Sequence, residues 1–112
     1  MRIAIIGSRN CANIDINNII ANLPDNCSEI VSGGADGIDN LARKTAEKLN
    51  IPMVEFIPEY DLFGKSAPLV RNKKIIDYCD FVLSFWDFKS NGTKYVINEC
   101  IKANIPVKVI SV

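Results

Sequence analysis

The chain has no histidine, and its four cysteines, Cys11, Cys27, Cys79 and Cys100, form no Cys-x-x-Cys pair. Structural zinc therefore lacks its usual ligand spacing, and no metal site is expected. Cys79 and Cys100 fall in or beside apolar helical stretches and read as buried thiols in a reducing compartment. Without histidine, any general acid or base has to be Asp, Glu, Cys, Tyr or Lys. An excess of one charge is missing too, since 13 Lys and Arg balance 13 Asp and Glu. That balance argues against nonspecific duplex binding, which needs many uncompensated cations to neutralise phosphates, so nucleic acid is not expected as a partner. No apolar run approaches the roughly 20 residues of a membrane span. Met1 leads directly into Arg-Ile-Ala-Ile-Ile-Gly with no cleavage pattern after it, and a cytoplasmic location is expected. Two nucleotide signatures are also absent. Neither Gly-x-x-x-x-Gly-Lys-Ser/Thr nor a Gly-x-Gly-x-x-Gly after the first strand occurs, which excludes a P-loop hydrolase and the usual NAD or FAD fingerprint, and no cofactor is expected.

What is present is a regular alternation. Five short apolar runs, Arg2–Ile6, Glu29–Ser32, Met53–Ile57, Phe81–Phe85 and Val107–Ser111, recur at roughly 25-residue spacing with helical patterns between them. Ile16, Ile19, Ile20 and Leu23 mark a first helix, stopped by Pro24. A second runs from Gly37 to about Leu49 and closes at Asn50 and Pro52, a third starts at Pro68 and runs to about Tyr78, and a fourth spans about Thr93 to Ala103. Strict strand–helix alternation with near-continuous apolar strands predicts a parallel sheet covered on both faces. The expected architecture is α/β, a Rossmann-like three-layer α/β/α domain of 112 residues with a five-stranded parallel sheet in the order 3-2-1-4-5. That order places a topological switch point between strands one and four, where open sheets usually bind ligands.

The chain is anchored on Ile30–Asp39, Ile-Val-Ser-Gly-Gly-Ala-Asp-Gly-Ile-Asp, read as a buried strand end, a glycine turn and the start of a helix. Asp36 is placed as the N-cap, with Asp39 where a capping box has its second acid. A glycine turn opening onto a helix leaves free N–H groups that favour a phosphate or carboxylate. An ordinary β–α connection, in which the glycines only make the turn, fits as well. All strand-to-helix turns of such a sheet face one edge. There Gly7, Ser8 and Arg9 follow strand one; Ser32, Gly33, Gly34, Ala35 and Asp36 follow strand two; and Trp86 through Thr93, with Asp87, Lys89, Ser90 and Gly92, follow strand four. Arg71, Asn72 and Lys65 come from the third helix and the long connection before it. The set suits a phosphorylated, nucleotide-sized anion. Each member has a plainer reading: Ser8 and Thr93 as helix caps, Arg9 and Arg71 as solvated cations, Trp86 as core packing rather than a base stack, Asp36 and Asp39 as helix-end acids. Turned to a ligand, Asp39 suits a ribose hydroxyl.

Five stretches taken together, Ile5-Ile-Gly-Ser-Arg9, Ser32-Gly-Gly-Ala-Asp-Gly-Ile-Asp39, Tyr60 through Asn72, Asp80 through Phe85 and Asn91-Gly-Thr93, resemble the SLOG superfamily. That Rossmann-like group includes the DNA-processing protein DprA and the LOG cytokinin-activating enzymes, and the chain looks most like its small stand-alone YAcAr-type members. The resemblance implies a site for a nucleotide or nucleotide-derived ligand at Gly7, Ser8, Arg9, Gly33, Gly34, Arg71, Asn72, Gly92 and Thr93, and a possible homodimer. LOG enzymes carry Gly-Gly-x-Gly-Thr-x-x-Glu with a catalytic glutamate. Here Val96 stands at that position, Lys89-Ser90-Asn91 replaces the first glycine pair, and Glu99 lies two helical turns beyond Thr93. The expected role is a sensor or binding module. The alternatives are an N-glycosidase acting on nucleoside monophosphates, with Asp39 or Asp87 as its carboxylate, and a DprA-like single-stranded nucleic-acid binder.

Overall fold

A computed structural model of the chain describes residues 1–8, 13–34 and 37–112. Five strands, β1 (Arg2–Gly7), β2 (Glu29–Ser32), β3 (Met53–Glu55), β4 (Phe81–Trp86) and β5 (Val107–Ser111), form one sheet in the order β3-β2-β1-β4-β5. Every pairing is parallel, with Ala4 opposite both Val31 and Val82 at the centre. The expected strand order is the observed one. Alternate residues of the strands feed two separate cores, which is why the central strands read as continuous apolar runs. Ile3, Ile5, Ile30, Leu83 and Phe85 pack on one face against Ile19 of α1 (Ile16–Asn22) and Ile38, Ala42 and Ala46 of α2 (Ile38–Leu49). Ala4, Val31 and Val82 pack on the other against Ile75 and Ile76 of a 12-residue helix, Ala67–Tyr78, and Val96 and Cys100 of another, Asn91–Lys102.

The long connection before the third expected helix, Pro58 to Ala67, carries one helical turn, α3 (Tyr60–Phe63), followed by a 3-10 turn, Gly64–Ser66. The helices after it are accordingly α4 (Ala67–Tyr78) and α5 (Asn91–Lys102). Glu59 Oε1 meets Lys74 Nζ of α4 at 3.0 Å, so the start of this short strap is tied to the middle of α4.

Helix boundaries show where local chemistry decides. Asp15 caps α1, accepting from Asn17 N at 2.9 Å and Asn18 N at 3.2 Å, while Asn18 Oδ1 accepts from Asp15 N at 2.8 Å. Asn50 closes α2 in the left-handed conformation (φ 54°), as its position before Pro52 suggested. The start of α2 corrects an expectation. Its N-cap is Gly37, at φ 82° and without a side-chain cap, rather than Asp36, and Asp39 turns inward at 4% exposure instead of closing a capping box. Asp36, Arg9, Ala35 and Cys11 lie outside the described residues.

Candidate functional site

The carboxyl edge of β1 and β4 is tied together by one serine. Ser8 N donates to Phe85 O at 2.9 Å, and Ser8 Oγ donates to Asp87 Oδ1 at 3.1 Å while accepting from Asp87 N. Asp87 Oδ1 also accepts from Lys89 N at 2.9 Å and Ser90 N at 2.8 Å, which folds the turn after β4 around a single carboxylate oxygen. Those two backbone bonds hold the Asp87 carboxyl below the usual carboxylate range. Within the turn Phe88 takes a left-handed conformation (φ 62°), uncommon for an aromatic residue, with its ring 4.6 Å from that of Trp86. Trp86 Nε1 donates to Ser90 O at 3.0 Å, and Ser90 Oγ accepts from Thr93 N at 3.4 Å as the N-cap of α5. Ser8 and Asp87 therefore build the turn, Trp86 props it, and the cap is Ser90, not Thr93.

A second element comes from α4. The Arg71 guanidinium reaches the glycine turn after β2, where Nη1 donates to Gly33 O, and Nε donates to Asn72 Oδ1 at 2.7 Å. Gly33 is required for that approach, because a Cβ there would stand 2.8 Å from Arg71 Nη1. Gly34 has φ 71°, which independently favours glycine, and a Cβ there would meet Ile57 Cγ1 at 3.1 Å. Asp39 enters from the first turn of α2. Burial raises its carboxyl above the ordinary value, opposed by the Ser32 hydroxyl, Arg71 and the Gly33 backbone. Burial likewise lowers the Arg71 guanidinium, with Asp39 opposing it most. Ser32 Oγ makes no hydrogen bond of standard geometry, so its effect on Asp39 is a weak, near-range polar contact.

These pieces enclose a cavity of about 660 Å³, within the range of small-ligand sites. Gly7, Gly33, Gly34, Asp39, Arg71, Asn72, Gly92 and Thr93 all line it. Ser8, Ser32, Trp86 and Asp87 do not, and Phe85 is wholly core. Lys65 and Lys89, expected to bring positive charge, are also absent from the lining, which leaves Arg71 as its cation among the described residues. A component that sequence reasoning missed is an apolar wall of Ile57, Pro58, Tyr60, Pro68 and Leu69. Its signals were the length of the connection before α4 and the family-like stretch from Tyr60 through Asn72. Among the described residues no group of three or more His, Cys, Asp or Glu is arranged to hold a metal ion, and no helix is long and apolar enough to cross a membrane.

An all-parallel sheet covered by helices on both faces, with a cavity at its carboxyl edge, defines the Rossmann-like class, and the order β3-β2-β1-β4-β5 puts that class's topological switch point between β1 and β4. Comparison with known sequences gives the family. The chain belongs to the family described as DNA recombination-mediator protein A, whose sequence model matches residues 1–62. It is also similar to the Gene 61 protein of Mycobacterium phage D29, 32% identical over 84 residues, which covers 70% of this chain and 67% of that protein. No solved structure matches significantly. The matched region carries β1, the glycine turn and Asp39 but ends before Arg71 and the turn of α5, which line the cavity from outside it.

Proposed function

We propose that the chain binds a nucleotide or nucleotide-derived phosphorylated ligand at the carboxyl edge of the sheet, as a single-domain sensor or binding module of the small stand-alone YAcAr type within the SLOG group. The observation that carries the reading is that a glycine turn, a helix N-terminus and an arginine from three separate elements line one cavity. The phosphate is assigned to the N-terminal turn of α5, where Gly92 leaves open space, with Arg71 supplying the charge. A helix terminus adds about 0.3–1 kcal/mol when exposed and ~2 kcal/mol when partly buried, so Arg71 is needed for useful affinity. The wall of Ile57, Pro58, Tyr60 and Leu69 then takes the face of the base, a role that Trp86 is not placed to fill. A thermal-shift panel of AMP, ADP-ribose and cyclic nucleotides tests it, since a ligand at a hundred times its Kd adds about 2.7 kcal/mol of stability. At least one compound is expected to raise Tm, and Arg71→Ala is expected to abolish the rise; a flat panel contradicts the reading.

Two other readings each have an observation behind them. The family description names DNA, against the expectation from the neutral charge balance, and supports single-stranded nucleic-acid binding. Such binding must weaken steeply with salt, and indifference to oligonucleotides at low salt removes it. A buried carboxyl of raised pKa beside the cavity, Asp39, supports an N-glycosidase. Release of free base from nucleoside monophosphates, lost in Asp39→Asn, is its signature. Asp87 is less suited to that role, with Oδ1 committed to the turn.

A further inference from the structure

We infer that Asp39 makes this site select ribonucleotides over 2′-deoxyribonucleotides by accepting a hydrogen bond from the vicinal hydroxyls of the sugar. The inference rests on the nucleotide reading above and deepens it. Among the described residues Asp39 is the only acid and Arg71 the only base that line the cavity. An ionised carboxylate accepts about four hydrogen bonds and donates none, so the ligand group it takes has to be a donor. A phosphate placed against that carboxylate is opposed by like charge; burial raises the Asp39 carboxyl, and Arg71 is among the groups that oppose the rise.

The sheet sets the separation. Asp39 begins the helix after β2, whereas Gly92 and Thr93 begin the helix after β4, and β1 lies between those strands. Two strand spacings amount to roughly 9.5 Å, room for a phosphate at one end and a sugar at the other. The base is accounted for by the apolar wall from Ile57 to Leu69, which leaves the sugar hydroxyls as the donors facing Asp39. The Ser32 hydroxyl and the Gly33 backbone both oppose the rise of the Asp39 carboxyl. The 2′-hydroxyl is the group that lets a protein distinguish the two sugars, and a site built to bond a hydroxyl penalises the analogue without it.

The test is calorimetric titration of the intact chain with AMP, GMP, CMP and UMP and with their four 2′-deoxy counterparts. At least one ribonucleotide is expected to bind about tenfold or more tightly than its deoxy partner, the scale of a hydrogen bond to a charged group. Asp39→Ala is expected to bring the pair within about twofold while deoxynucleotide binding persists, the hydroxyl then having no charged acceptor. Equal binding of both sugars by the unmodified chain, or a preference for the deoxy form, overturns the inference and leaves the nucleotide reading standing. No binding of any of the eight overturns the inference, and the nucleotide reading then stands or falls on the thermal-shift panel with ADP-ribose and cyclic nucleotides. The comparison in the unmodified chain decides the matter even where the variant does not fold.

Discussion

Arg71 and Gly33 form a pair in which each residue explains the other. The guanidinium lies against the backbone where any side chain at position 33 would intrude, so Gly33→Ala is expected to expel Arg71 from its seat. The cost should fall at the low end of about 1–3 kcal/mol, the usual range for overpacking, because the guanidinium is the movable end of a flexible side chain. Gly33→Ala in an Arg71→Ala background should cost clearly less, and denaturant unfolding of the four chains measures that non-additivity. The two acids at this edge should titrate with opposite consequences. Asp39 has a folded pKa raised above its ordinary value of 3.8, so the folded state holds the proton longer and this group's contribution to stability falls as pH rises through that window. Asp87 has a lowered folded pKa, so its contribution is present above the ordinary value of 3.8 and is lost as pH falls through the folded value. Profiles of Tm against pH for Asp39→Asn and Asp87→Asn, each compared with the unmodified chain, should therefore diverge in opposite directions on the acid side.

At the scale of elements, the two side-chain-capped helices differ in how well they are held. Asp15 makes two short bonds with a reciprocal contact from Asn18, whereas the Ser90 cap rests on one bond of 3.4 Å. Loss of a cap costs about 0.5–2 kcal/mol, so Asp15→Ala should fall near the upper part of that range and Ser90→Ala near the lower. Thermal denaturation ranks them. Ser90→Ala should nevertheless weaken ligand binding more, since its turn lines the cavity and that of α1 does not. The elements themselves were legible because their signals are local: short, near-continuous apolar runs made the strands conspicuous, and Asn50 and Pro52 marked the end of α2. The start of α2 was misread because Asp36 had the right chemistry for a cap, while Gly37 supplied the required backbone conformation one residue later. The strap tied to α4 was illegible because a helical turn of four residues has no periodicity to detect. Trp86 was included with the ligand set for its aromatic ring at the end of β4, with core packing as the alternative; its direction depends on a bond to Ser90 O that sequence does not display.

For the whole molecule, the order of the strands does the organising. Placing β1 between β2 and β4 brings the glycine turn, the α5 terminus and Arg71 to one rim, although Gly33 and Thr93 lie far apart in the chain. The convergence was legible as soon as the order was, whereas the identity of the walls was not, because apolar residues in a long connection carry no address. The family match and the charge balance pull in different directions at this scale. A chain with formal net charge +0 should show little affinity for a long oligonucleotide at physiological salt, and a filter-binding salt series checks it. The central claim is that one cavity between β2, β1 and β4 receives the phosphorylated ligand. Amide chemical-shift mapping during titration with the most stabilising nucleotide addresses it directly. Shifts concentrated at Gly33, Gly34, Gly92 and Thr93, and absent in Arg71→Ala, are the predicted result; shifts confined to the opposite edge of the sheet, around Glu29 and Asp80, would contradict it.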